Sequence, residues 1–295
     1  MATAAPVATR EGRLAIIAGG GYLPLYVAEA ARAAGDDPVV IALRHEADRD
    51  FSSFDHMVTG VGDFAGIQQV LRQKGVRRVV LSGGVKRRPE WRDIHPTFRS
   101  ILKIPHVIRT LLAGGDDTVL QMVIGLFESM GCRVVGVQEI VPGLLAETGH
   151  LTATPPASED MRDIETAAEA ARLLGQLDVG QGAVCVGGRI VALEGVEGTD
   201  AMLERVASLR AAGRISKKRR GVLVKLCKPQ QDVRADLPTI GPSTVQSAIA
   251  AGLAGIAVEA GRALVVDRAD MIALAERNGL FVCGIDQGIP GSGLR

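Results

Sequence analysis

Residues 221 to 244 of the 295-residue chain, GVLVKLCKPQQDVRADLPTIGPST, carry its densest chemistry. Lys225, Lys228, Gln231, Asp232, Arg234, Asp236, Thr239, Ser243 and Thr244 are interleaved there with Pro229, Pro238, Gly241 and Pro242. Asp232 and Asp236 stand four residues apart, with two lysines and an arginine beside them. Mg²⁺ takes one or two carboxylates and keeps phosphate oxygens as further ligands, while Lys and Arg neutralise the charge that remains. These are the materials for a divalent cation held next to a polyanion. A solvated loop whose charges pair with one another uses the same residues, and both readings stay open. Cys227 lies between Lys225 and Lys228, where a thiolate would be stabilised, and it also reads as a strand-end packing residue.

The element that must hold this loop is the apolar run Gly221 to Leu226, which reads as a buried strand. Proline fixes φ and has no N–H to give a ladder, so Pro229, Pro238 and Pro242 stop the chain continuing as strand or helix. Upstream, a helix is expected from Ser158 through Leu174, then a hairpin of Val184 to Val186 and Ile190 to Leu193 with Gly187-Gly188 as its turn. Glu194, Glu197 and Asp200 follow where this strand hands over to a helix over 201 to 211. Capping by Thr199 or Asp200 and an acidic contribution to the site are rival readings. The basic run 214 to 220, RISKKRR, reads as a solvated face that would steer an anion only if it lay beside one. Downstream come a small-residue helix to Gly252, a strand at Ala263 to Val266, a helix at Arg268 to Asn278 and a strand at Phe281 to Ile285.

The first half opens with a strand at residues 13 to 18, the turn Gly19, Gly20 and Gly21, and a helix stopped at Gly35. Small residues at such a turn let a phosphate approach backbone N–H groups at the helix start, although the spacing is neither GxGxxG nor a P-loop. Strands at Pro38 to Leu43 and Val76 to Leu81 flank a helix at Ala65 to Gln73, and Ser82, Gly83, Gly84, Val85 and Lys86 form another glycine turn. Ligands of open parallel sheets collect outside the carboxyl ends of the strands, so recurring glycine turns favour one crevice. Asp116 or Asp117 reads as the cap of an apolar helix, and Cys132 to Val137 as a further strand. The expected fold class is α/β: a Rossmann-like, mostly parallel N-terminal α/β domain over 13–142, a proline-rich linker over 143–160, and an α+β catalytic domain over 161–295.

A formal charge of +1 and 3% aromatic residues argue against nucleic acid, which needs either bulk basicity or stacking platforms. The four cysteines form no CxxC pair and read as reduced core residues. The first twelve residues look like a leader without targeting character, and no apolar run approaches the roughly eighteen residues of a membrane span.

LAIIAGGGYLPLYVAEAA, SGGVKRRP, GGDD, LEGVEGTDAM and KLCKPQQDVRADLPTIGPSTV together resemble the UDP-2,3-diacylglucosamine pyrophosphatases of the lipid A pathway, in the form that differs from the metallophosphoesterase enzyme. The resemblance runs from Leu14 through nearly the whole chain. It implies Mg²⁺-dependent hydrolysis to UMP and 2,3-diacylglucosamine 1-phosphate (lipid X), with water attacking the sugar-side phosphorus. It also implies two domains with the lipid product held between them and a homodimer, while the reduced cysteines point to a cytoplasmic protein and peripheral contact with the membrane stays open. Asp232 and Asp236 match the acidic residues of the family's loop pattern, and Gly19 to Gly21 with Tyr22 match its glycine motif, at the nucleotide end. Gln230 stands where members often have glycine.

On this basis Asp232 and Asp236, helped by Asp200 or Glu197, are expected to hold Mg²⁺, and Lys225, Lys228 and Arg234 to stabilise transition-state charge. Gly83, Gly84, Lys86, Thr199, Gln231, Thr239, Gly241 and Thr244 are the further substrate contacts expected. The acyl chains need an apolar cleft, which the aliphatic second half is expected to supply. The alternatives are a non-catalytic carrier of a nucleotide-sugar or lipid, and a dinucleotide oxidoreductase. The latter is disfavoured because Arg44 and His45, not an acid for a ribose, follow Leu43.

Overall fold

The computed structural model describes residues 12–85, 116–216 and 218–286. The leader, Lys86 and the side chains of Asp116 and Asp117 lie outside the described residues. Two compact units emerge. One comprises residues 1–142 together with Asp232–Asp236, the other Gly143–Gln231 and Leu237–Arg295.

Unit 1 is built on a five-stranded parallel sheet, ordered β3-β2-β1-β4-β5. Its strands are β1 (Arg13–Ala18), β2 (Val39–Leu43), β3 (Asp55–Thr59), β4 (Val76–Ser82) and β5 (Arg133–Val135). β2 is buried at every position, as strands covered on both faces must be. Helix α1 (Leu23–Ala33) buries Val27, Ala28 and Ala31, spaced for one helical face. On the opposite face, α2 (Phe64–Gln73) and α3 (Asp116–Ser129) bring Ile67, Leu71, Ile124 and Phe127 against Ala15, Ile17, Ile41 and Val79. Asp63 caps α2 by accepting from Gly66 N at 3.0 Å. The strand order reverses between β1 and β4, so the crevice outside their carboxyl ends is this sheet's ligand position. β3 was not expected from sequence: only His56, Met57 and Val58 separate two polar ends, and its burial is partial. The run 132 to 137 yields a three-residue β5, after which α4 (Val137–Ile140) begins.

Unit 2 holds a mixed six-stranded sheet, ordered β6-β13-β11-β9-β7-β8. β9 (Val222–Lys225), β11 (Gly255–Glu259) and β13 (Phe281–Ile285) are parallel, while β7 (Gly182–Val186), β8 (Arg189–Leu193) and β6 (Gly149–His150) join antiparallel. The hairpin turn is Gly187-Gly188 as expected, with φ of +62° and +77°, the left-handed conformations a two-residue turn requires. Buried Asp163 holds that turn, its carboxylate accepting from both turn amides. Helix α5 (Ser158–Gln176) covers one face with Ile164, Ala167, Ala168 and Ala171. α6 (Gly198–Ala211), α7 (Pro242–Ala250) and α8 (Arg268–Arg277) cover the other with Met202, Leu203, Val245, Ala248 and Met271. β10 (Thr239–Ile240) and β12 (Leu264–Val265) pair as a separate two-stranded sheet. The stretch 143–160, expected as linker, supplies edge strand β6, and Thr152 Oγ1 accepts from Val282 N at 2.9 Å.

Candidate functional site

The two glycine turns of unit 1 are one object. Gly19 N donates to Ser82 O at 2.8 Å, Gly20 N to Gly84 O at 2.8 Å, and Gly84 N to Gly20 O at 3.0 Å. A Cβ on Gly19 would stand 2.5 Å from Gly84 O, and one on Gly83, where φ is +86°, 2.6 Å from Gly20 O. Only glycine permits this approach. The turns therefore close the crevice floor at the carboxyl ends of β1 and β4, and Tyr22, 40% exposed, stands at the start of α1. The Gly21 amide, expected for a phosphate, donates to Asp48 Oδ1 at 3.0 Å, and Arg49 lies 5.8 Å over the Tyr22 ring. An anion at this helix start thus meets a carboxylate and a guanidinium that the sequence reading did not single out.

Asp232–Asp236 is a single turn counted with unit 1, Ala235 N and Asp236 N both donating to Asp232 O. Arg234 dominates the turn: Nε donates to Asp232 Oδ1 at 3.0 Å, NH2 to Asp232 Oδ2 at 2.7 Å, and NH1 to Glu128 Oε1 at 2.9 Å. Those hydrogen bonds hold the Asp232 carboxyl below the ordinary carboxylate range and push the Arg234 guanidinium further up. Arg234 is thus a clamp on Asp232, not an unengaged cation awaiting substrate charge.

In unit 2 the loop's flanks are buried at the carboxyl edge of the parallel strands. Lys225 Nζ donates to the Thr239 carbonyl at 3.1 Å, and Lys228 Nζ pairs with Asp178 at 2.7 Å. Gln231 Oε1 accepts from Lys228 N at 3.1 Å and from the Cys227 thiol at 3.3 Å. Glu259, 1% exposed, accepts from Cys227 N at 2.8 Å and faces Arg262 NH1 at 3.4 Å, while Arg262 NH2 donates to Cys227 Sγ at 3.3 Å. Cys227 is a packed hub of this network. Thr244 Oγ1 accepts from Gly241 N at the start of α7, and Thr239 Oγ1 donates to Leu237 O. Thr199 Oγ1 donates to buried Glu194 at 2.8 Å, whose other carboxylate oxygen has no partner among the described residues. Glu197 instead pairs with Arg205, and Asp200 is exposed in the first turn of α6.

Of the expected carboxylate set, Asp200 belongs to unit 2 and Asp232 and Asp236 to unit 1, and no group of three or more His, Cys, Asp or Glu side chains among the described residues is placed to hold a metal. A Mg²⁺ that keeps water and phosphate ligands needs only one or two carboxylates, and the 232–236 turn fits that donor set. Within unit 2, Arg220 donates to Leu253 O and Gly279 O, just ahead of β11 and β13, and Arg210 clamps Ser216 O and Arg219 O, so the basic run lies at the amino ends of that unit's parallel strands. Sequence reasoning also passed over Glu128, Asp178, Glu259 and Arg262. Glu259 had a signal, a lone charge ending the apolar run GIAVE; Glu128 and Asp178 had none.

The family model of the LpxI N-terminal domain matches residues 13–144, and that of the LpxI C-terminal domain residues 147–283. The chain is 44% identical over 275 residues to the UDP-2,3-diacylglucosamine pyrophosphatase LpxI of Caulobacter vibrioides, an alignment covering 93% of this chain and 98% of that relative.

Proposed function

The chain belongs to the LpxI family, and from that premise we propose that it is a UDP-2,3-diacylglucosamine pyrophosphatase, releasing UMP and 2,3-diacylglucosamine 1-phosphate with Mg²⁺ required. The observation that carries the reaction is the likeness to a pyrophosphatase of that name along almost the whole of both chains. The 232–236 turn and the paired glycine turns agree with it.

In this reading the backbone at Gly19 to Gly21, Gly83 and Gly84 receives the nucleotide-phosphate portion where no side chain obstructs it. Asp232 and Asp236 would hold the cation, which when bound supplies Lewis-acid polarisation of the phosphoryl oxygens. Arg234 keeps Asp232 ionised and oriented through its fork, and is itself fixed by Glu128. Lys225 and Lys228 are proposed to contribute positive charge to the pyrophosphate, exchanging their present partners for phosphate oxygens. Because the substrate carries acyl chains, the protein is further proposed to act at the cytoplasmic membrane face by peripheral contact, as a homodimer. No helix among the described residues is long and apolar enough to cross a membrane.

The test is UMP release from UDP-2,3-diacylglucosamine by purified protein, with Mg²⁺ and then with excess chelator, alongside Asp236→Ala and Asp232→Ala. Chelator-sensitive release, lowered about 10²- to 10³-fold in the variants, is expected for loss of a charge contact at a preorganised site. Tight binding without release would make the protein a carrier, and unchanged turnover in both variants would remove the turn from the mechanism.

A further inference from the structure

The turn that carries Asp232 and Asp236 is held to the rest of unit 1 by three contacts. Arg234 reaches Glu128, and Ala235 packs at the edge of the core that contains Ile17, Ile67 and Phe127. The third contact is Gln138 of α4, whose Nε2 donates to Val233 O at 3.1 Å. Asp232 O already serves Ala235 N and Asp236 N, so the Val233 carbonyl is the next acceptor of the turn, and Gln138 supplies its donor.

The chain after β5 is built to aim this amide. Glu139 Oε1 accepts from Gly136 N at 2.9 Å, its Oε2 accepts from Arg133 at 2.6 Å, and Glu139 N donates to Gly136 O at 3.0 Å, which together fix the start of α4. Gly136 is buried, with φ −79° and ψ 155°, a conformation open to any residue. It is space, not conformation, that calls for glycine there. A Cβ on Gly136 would stand 2.5 Å from Gln138 Oε1 and 2.6 Å from its Cδ, so the amide lies against the Gly136 backbone. Gln138 Oε1 is buried and has no hydrogen-bond partner among the described residues. Turning the amide over would set Oε1 against Val233 O, two acceptors in contact, so the carbonyl decides which end faces the turn. An acceptor left unpaired in a buried place costs more than one neutral hydrogen bond returns, and an apolar side chain of the same shape would serve stability as well or better. What the glutamine adds is a fixed position for the turn.

We propose that Gln138 is a positioning residue for the cation: by pinning the Val233 carbonyl it fixes the backbone from which the Asp232 and Asp236 carboxylates extend, and Gly136 is the space that lets it do so. The cation comes from the pyrophosphatase reading, on which this inference rests; the pinning comes from the contacts alone. Mg²⁺ demands near-ideal octahedral geometry, so a turn free to shift would present its two carboxylates in many arrangements of which few bind. The Arg234–Glu128 pair is a weaker anchor, because both side chains are more than a third exposed and such pairs are screened by water and salt. Gln138 holds main chain instead, between the two aspartates.

Two measurements separate this role from the reaction and from mere packing. Mn²⁺ stands in for Mg²⁺, and its binding to the full-length protein is followed by loss of the free-ion EPR signal, with UMP present to supply phosphate oxygens; this needs no turnover. Gln138→Met removes the donor and keeps the bulk. It is expected to weaken Mn²⁺ about three- to tenfold, the worth of one neutral hydrogen bond, while the melting midpoint holds or rises, since Val233 is only half buried and water can take its carbonyl. Gly136→Ala displaces the amide without altering it and should weaken Mn²⁺ similarly; it is also the second variant should Gln138→Met not fold. In turnover, the Mg²⁺ concentration for half-maximal UMP release should rise by the same factor with kcat at saturating Mg²⁺ within about twofold, a split that a purely structural role would not produce. Equal Mn²⁺ midpoints for wild type and a folded variant overturn the proposal, as does a wild type that binds no Mn²⁺. Gln138-dependent Mn²⁺ binding in a protein that releases no UMP upholds the positioning role and overturns only the reaction.

Discussion

Alanine at Gly83 and alanine at Gly84 should behave very differently, although the residues are neighbours on one turn. At Gly83 the backbone is at φ +86°, and a Cβ would meet Gly20 O at 2.6 Å, Pro24 Cγ at 2.7 Å and Gly19 C at 2.9 Å. At Gly84 a Cβ meets nothing within 4 Å, and φ is not positive. A left-handed non-glycine residue costs about 1–2 kcal/mol, forced overpacking about 1–3 kcal/mol, and each lost hydrogen bond about 0.5–1.5 kcal/mol. Pushing the turns apart strains or breaks the two Gly20–Gly84 bonds, so Gly83→Ala is expected to cost about 4–6 kcal/mol, a large share of the roughly 5–15 kcal/mol that holds a domain. Gly84→Ala should cost under about 1 kcal/mol. Urea unfolding gives the midpoints, and hydrogen exchange over residues 13–33 and 76–85 assigns any loss to the joined turns. Because the proposed phosphate cradle is the same backbone, UMP release should fall with Gly83→Ala even where the protein remains folded. Equal midpoints for the two variants, with unchanged exchange at β1, would refute the claim that close apposition makes glycine necessary.

Three further outcomes follow from side-chain environments. Asp232 has a folded-state pKa below its unfolded one, so its pairing contributes fully above about pH 4 and is lost as pH falls through the lowered value; Asp232→Asn should flatten that acid-side loss in a pH series of melting midpoints. Asp178→Ala leaves Lys228, whose side chain is 10% exposed, without its carboxylate, and should cost about 2 kcal/mol in urea unfolding, between the values for exposed and buried pairs. The Cys185 and Cys283 thiols are each pushed up to about 12, chiefly by burial, so neither should react with a thiol reagent at pH 8 until the protein is unfolded.

Where the chain repeats a local rule, its sequence was readable. The Gly187-Gly188 hairpin, the α5 start near Ser158 and strand β13 follow from turn chemistry, capping and hydrophobic runs, with ends displaced by a residue or so. Strand β3 escaped because partial burial left it no apolar run, and β6 because two residues carry no period; β3 exists through pairing with β2, and β6 through pairing with the distant β13. The site was legible as composition rather than geometry. Lys225, Lys228, Arg234 and the two aspartates advertised charge, but nothing local said that Asp178 would take Lys228 or Glu128 would take Arg234, partners 50 and 106 residues away. The glycine turns were visible singly, at Gly19 to Gly21 and at Gly83 and Gly84. Their mutual contact depends on β1 and β4 becoming sheet neighbours, which no short-range pattern encodes.

The five residues Asp232–Asp236 give the polypeptide an unusual itinerary: it passes from one unit to the other after Pro142, after Gln231 and again after Asp236. Neither unit can therefore be cut out as one uninterrupted stretch of gene. A fragment ending at Pro142 lacks Ala235 from the edge of its core and Arg234 from Glu128, while the complementary fragment carries that turn away from its partners. Exchange of halves between relatives would have to carry the short inner segment along with the first half. For an enzyme whose proposed carboxylates ride on that segment, a single crossover after Pro142 would draw Asp232, Arg234 and Asp236 from one parent and Glu128 from the other.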